Sequence, residues 1–103
     1  MPRLEKLTEM LMKSPEDPFL HFARAMELVK LGRLDDAVAD FDRAIGLSPT
    51  DPAAYYHKAN ALIALQRLDD ARRVLLKGRD VAEAVGNTHA RGEMQALLDG
   101  IGS

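Results

Sequence analysis

The sequence contains no cysteine. That excludes disulfides and thiolate metal ligands, leaves packing to hold the chain together, and makes a reducing, cytoplasmic setting the expectation. Charge of one sign is also missing: 14 Lys and Arg stand against 16 Asp and Glu, interspersed, for a net charge of −2. With no basic stripe to follow a phosphate backbone, nucleic acid is not an expected partner. No apolar run approaches the roughly 18 residues of a membrane span, and Met1-Pro2-Arg3-Leu4-Glu5-Lys6 has no apolar core of an export signal. Neither a Gly-rich phosphate loop, a nucleophile elbow nor a metalloprotease signature occurs. The chain is therefore read as no enzyme, with no catalytic residues, no cofactor and no metal.

What the sequence does have is a period. Ser14-Pro15-Glu16-Asp17-Pro18 returns 34 residues later as Ser48-Pro49-Thr50-Asp51-Pro52, and Leu34-Asp35-Asp36-Ala37 returns as Leu68-Asp69-Asp70-Ala71. A period of this length belongs to stacked helix pairs, each burying its apolar face against its neighbours. At 103 residues the chain is one domain. Apolar residues from Phe19 to Leu31 recur with helical spacing, Gly32-Arg33-Leu34 breaks the run, and a second helix passes through Val38, Phe41, Ala44 and Leu47 before Pro49 stops it. Asp35 is placed as a cap of that second helix. The next unit repeats the pattern from about Ala53 to Leu65 and again from about Asp69. Glu83 stands where Pro49 stood, so this last helix should run roughly a turn further, to Gly86-Asn87.

Thr88 is the expected cap of a closing helix through Met94 and Leu98, fraying at Gly100-Ile101-Gly102-Ser103. Leu7, Phe41 and Leu75 share the 34-residue spacing, so Leu4 to Lys13 reads as a lone second helix. The expected order is all-α and six helices: a half-repeat over 1–16, repeats over 17–50 and 51–86, and a capping helix over 87–103.

This pattern resembles the tetratricopeptide repeat. Ala25, Leu28, Gly32, Ala37, Phe41, Ala44 and Pro49, then Tyr55, Ala59, Leu62, Ala71 and Leu75, stand where that family's pattern is strongest. His21, Arg24, Lys58, Gln66 and Glu83 depart from it. The resemblance implies a right-handed superhelical stack of antiparallel helix pairs, an α-solenoid. Small residues at Ala25, Ala37, Ala44, Ala59, Ala71 and Gly78 allow close helix approach.

In this family the first helix of each pair lines a concave groove. Carried over, those positions are Phe19, Phe22, Ala23, Met26, Val29 and Lys30, then Ala53, Tyr56, His57, Asn60, Ile63 and Ala64, with Arg91, Met94 and Leu98 added by the closing helix. The implied function is a non-catalytic adaptor that takes a peptide or partner helix, of unknown identity, in an apolar groove. One subset of the family captures a C-terminal carboxylate with Lys and Asn on successive groove helices. Phe22 and Met26 occupy those first-repeat positions here, so chaperone-tail capture is disfavoured. The alternative is a homo-oligomer closed by the groove or by an end-helix face such as Leu4, Leu7 and Leu11. His21, His57 and His89 lack the spacing of a helical metal site, and Asp35-Asp36 and Asp69-Asp70 read as helix starts rather than catalytic pairs.

Overall fold

The computed structural model describes residues 2–102. Among them are six helices and no strand: α1 (Pro2–Lys13), α2 (Pro18–Lys30), α3 (Leu34–Leu47), α4 (Pro52–Ala64), α5 (Leu68–Ala84) and α6 (Thr88–Gly100). Local chemistry sets these limits. Asp17 and Asp51 cap α2 and α4 by accepting from the amides of Phe19 and Ala53, and Pro18 and Pro52 fill the first helical turn, where no amide donor is needed.

Helices α2, α4 and α5 close with the same pair of backbone bonds. Arg33 N–H reaches Leu28 O and Gly32 N–H reaches Val29 O, and the pair recurs at Arg67 and Gln66, then at Asn87 and Gly86. Such a close needs a left-handed residue. Gly32 takes it at φ 76°, whereas Gln66 adopts φ 60° with a Cβ in place, a strain of about 1–2 kcal/mol. At 17 residues α5 outruns the 14 of α3, as the replacement of Pro49 by Glu83 requires.

Three sequence expectations are corrected. Asp35 and Asp36 lie in the first turn of α3 without capping it, because Arg33 is the capping residue and its guanidinium holds Asp36 at 2.8 Å. The cap of α6 is Asn87, whose side chain accepts from Ala90 N at 2.9 Å, rather than Thr88. After α6 the chain folds back instead of fraying: Ile101 packs on the core and Gly102 O accepts from Arg72 at 3.1 Å. Ser103 lies outside the described residues.

The helices stack in sequence, each against the next, and α4 also touches α2 and α6, whereas α1, α3 and α5 do not touch one another. The first three therefore form the inner row of the solenoid. Ala25, Ala37, Phe41, Leu62 and Ala71 centre one buried cluster, and Tyr55, Ala59, Leu75, Ala82 and Met94 the other. Ala25, Ala37, Ala59 and Ala71 have no exposed surface, the close approach the small residues predict. Leu7 and Leu11 bury against Leu20, and Leu4 packs on the first cluster. The end face proposed from the sequence is thus core, and the exposed apolar residues of α1 are Met10 and Met12.

His21 and Tyr55, one repeat apart, do the same work. The Tyr55 hydroxyl donates to Pro49 O at 2.8 Å, and His21 Nε2 lies 2.7 Å from Pro15 O, which puts the imidazole proton on Nε2. A histidine can replace the aromatic residue here because it supplies a donor to the same turn carbonyl.

Candidate partner-binding groove

The inner row presents its side chains by helical spacing. Phe19, Phe22, Met26 and Val29 are three or four residues apart on α2, and Tyr56, Asn60 and Ile63 are so spaced on α4. Phe19 leaves 73% of its surface exposed at the start of α2. A hollow of about 500 Å³ runs beside it, lined by Phe22, Ala23, Met26 and Lys30. A second, of about 210 Å³, lies between Phe19, Phe22 and Ala53, and a third, of about 300 Å³, lies between Ala53, Tyr56, His57, Asn87 and Glu93. Shared walls at Phe19, Phe22 and Ala53 join the three into one trough along α2, α4 and α6.

The floor of the trough is aromatic. Phe22 meets Phe41 edge-on at 5.8 Å and His57 at 5.6 Å, His57 stacks over Phe41 at 6.4 Å, and Tyr56 stands edge-on to His57 at 5.1 Å. Such contacts fix ring orientation beyond what burial alone does. Burial pushes the His57 pKa below its ordinary value, while Glu93 and Asp51 pull weakly upward. The Asn60 amide has no hydrogen-bond partner among the described residues. The cations beside α2 are engaged: Arg3 and Lys30 lie 3.3 and 3.7 Å from Glu27, which is buried.

Not every residue assigned to the groove from the sequence is there. Met94 is fully buried, its sulfur lodged over Gly78 and beside Tyr55, and Leu98 is buried with it. Both belong to the core, because the closing helix turns that face inward to cover α4 and α5. Arg91 is exposed but turned toward Glu83 of α5, 3.8 Å away. Val29 and Ile63 are half-buried, packing on the first cluster with one side. Glu27, Asp51, Asn87 and Glu93 line the trough and were missed. Glu27 left a signal, since its partner one repeat on is the buried Ala61. No group of three or more His, Asp or Glu positioned for a metal occurs among the described residues, nor any helix long and apolar enough to cross a membrane.

A curved stack of helix pairs with an open apolar trough along its inner row is a helical-repeat module for protein interaction. The chain belongs to the tetratricopeptide repeat family, whose sequence profile matches residues 28–84. It is similar to the TPR2B domain of yeast Sti1, solved as a complex with pHsp70, at 32% identity and a TM-score of 0.89 over 95% of this chain and 78% of that one. It is similar also to the TPR2AB domain of yeast Sti1, solved as a complex with pHSP90, at 31% identity and a TM-score of 0.90 over 97% of this chain and 39% of that one. A tetratricopeptide repeat domain protein from Salinibacter ruber is 29% identical, with a TM-score of 0.76 over 82% of this chain and 94% of that one. No curated protein matches the sequence.

Proposed function

We propose that this chain is a non-catalytic adaptor that holds an apolar peptide or helix of a partner protein in the trough along α2, α4 and α6. The observation that carries this reading is Phe19, a large aromatic side chain left 73% exposed at the mouth of a hollow lined by Phe22 and Met26. Burying such a ring against a partner contributes about 1.5–3 kcal/mol. Asn60, with its amide unpartnered, supplies a donor and an acceptor for a partner backbone. The Sti1 domains, solved with pHsp70 and pHSP90, support peptide capture as the class of activity. The chemistry differs, however. Phe22 and Met26 stand where a carboxylate-capturing groove carries Lys and Asn, and Arg3 and Lys30 are committed to Glu27. An apolar anchor suits this trough better than a charged tail.

A displayed random-peptide library panned on the wild-type chain tests this. The expected winners carry two or more large apolar residues and bind in the micromolar range, as a short groove allows. Phe19→Asp and Tyr56→Asp should each weaken them at least tenfold, Phe19→Asp without moving the thermal midpoint, since that ring is 73% exposed. Peptides indifferent to both substitutions would end the proposal. A wild-type dimer in sedimentation that Tyr56→Asp dissociates would instead assign the trough to self-association.

A further inference from the structure

The outer face carries two clefts that are repeat copies of each other. Arg24, Arg33, Asp36, Asp40 and Arg43 line the first, and the residues 34 positions on, Lys58, Arg67, Asp70, Val74 and Lys77, line the second. The first holds an internal anion. The Asp40 carboxylate, 1% exposed, receives Arg24 Nε and Nη2 at 2.6 and 2.8 Å and Arg43 Nη1 at 2.7 Å. Such bidentate, charge-assisted bonds are the strong kind, and they complete the cleft from within.

The second cleft keeps the cations and exchanges the buried anion for a half-exposed one, Asp42. Lys58 replaces Arg24 and Lys77 replaces Arg43, but Val74 stands where Asp40 stood. Lys58, less than one-fifth exposed, turns aside to Asp42, which has no counterpart in the first cleft, where Thr8 occupies the equivalent place. Lys77 makes no ion pair among the described residues. Arg67 and Arg73 share the single carboxylate of Asp70. Four cations therefore face two carboxylates in a chain whose net charge is −2. The cleft is also roomier, about 400 Å³ against about 280 Å³, and Val38, Ile45 and Leu62 give it an apolar floor.

We infer that the second outer cleft is a binding site for an organic anion with an apolar body, whose carboxylate sits above Val74 and pairs with Lys77, beside the Lys58–Asp42 pair. The body of the ligand lies over Val38, Ile45 and Leu62. A cationic cleft with low-dielectric walls concentrates anions, and the apolar floor selects those that carry hydrocarbon. The site shares no lining residue with the trough and does not depend on it.

Octanoate is a suitable probe, with 1-octanol as its uncharged counterpart, each titrated into the full 15N-labelled chain. Octanoate should shift the amides of Leu62, Val74 and Lys77 and bind at least tenfold more tightly than octanol. Lys77→Gln alters an exposed side chain outside both core clusters, and it should weaken octanoate about tenfold, the worth of one charge-assisted bond, while leaving trough peptides bound. Val74→Asp supplies the first repeat's own carboxylate and should abolish octanoate binding. Should that variant fail to fold, K77Q and the octanol comparison still decide. Equal binding of octanol, unchanged affinity in K77Q, shifts confined to the inner row, or no shift at the solubility limit of octanoate would each overturn the assignment.

Discussion

Gly78 shows how tightly the repeat is drawn at single positions. A Cβ built there would lie 2.5 Å from the Met94 sulfur and 2.7 Å from Tyr55 Cβ. The sulfur can swing away, but Tyr55 Cβ is fixed to the backbone of α4, so Gly78→Ala should destabilise by about 1–3 kcal/mol. Gly46, near the end of α3, has no such neighbour. Gly46→Ala should therefore stabilise, by about 0.5–1 kcal/mol, and urea unfolding of the two variants should give midpoints on opposite sides of the wild type. His57 adds a pH dependence. Its folded pKa lies below the ordinary 6.5 because burial disfavours the cation. As pH falls, the unfolded chain takes the proton first, so stability that is complete above that value drains away down to the folded pKa and then levels off. His57→Gln should flatten this stretch of the stability profile, measured by urea midpoints from about pH 7.5 to 5. A slope equal to the wild type's would place the titration elsewhere.

Helix ends separate what the sequence makes legible from what it does not. Gly32 and Pro49 mark their breaks plainly, because backbone sterics act within a residue or two. The cap of α6 is harder, since Asn87 and Thr88 are adjacent and both are good capping residues; the long α5 decides between them by where it ends. Asn87→Ala should cost about 0.5–2 kcal/mol and Thr88→Ala almost nothing, a difference that thermal melts resolve. The same reasoning explains the uneven reading of the trough. Phe19, Phe22, Tyr56 and His57 line the trough at positions carried over from the family resemblance, and helical spacing keeps them on one face. Met94 was not legible, because whether α6 turns that face inward depends on packing over Gly78, a contact between residues 16 apart. Leu7 and Leu11 misled when read as an end face: they lie on the face that α1 turns onto α2, as the register of Leu7 with the buried Phe41 and Leu75 implies. Asp40 shows the opposite gap, a buried charge whose partners, Arg24 and Arg43, sit on two different helices.

The core divides into two large clusters and a small one under α1, and α6 closes the second. Removing residues 88–103 would uncover Tyr55, Leu75 and Ala82, which pack against Ala90, Met94 and Leu98. In an array where each helix leans on its neighbours, the damage should stay local at first. Amide exchange of the shortened chain should show lost protection in α4 and α5 and retained protection in α2 and α3. The intact chain behaves differently, because Val74 and Ile101 each pack against both clusters. They act as rivets through a seam, and Gly102 is held beside them by Arg72. Tension applied between the two ends must shear those rivets before either half can open. Under force the chain should yield in one rupture, with no halfway plateau at which one repeat hangs extended while the other remains folded.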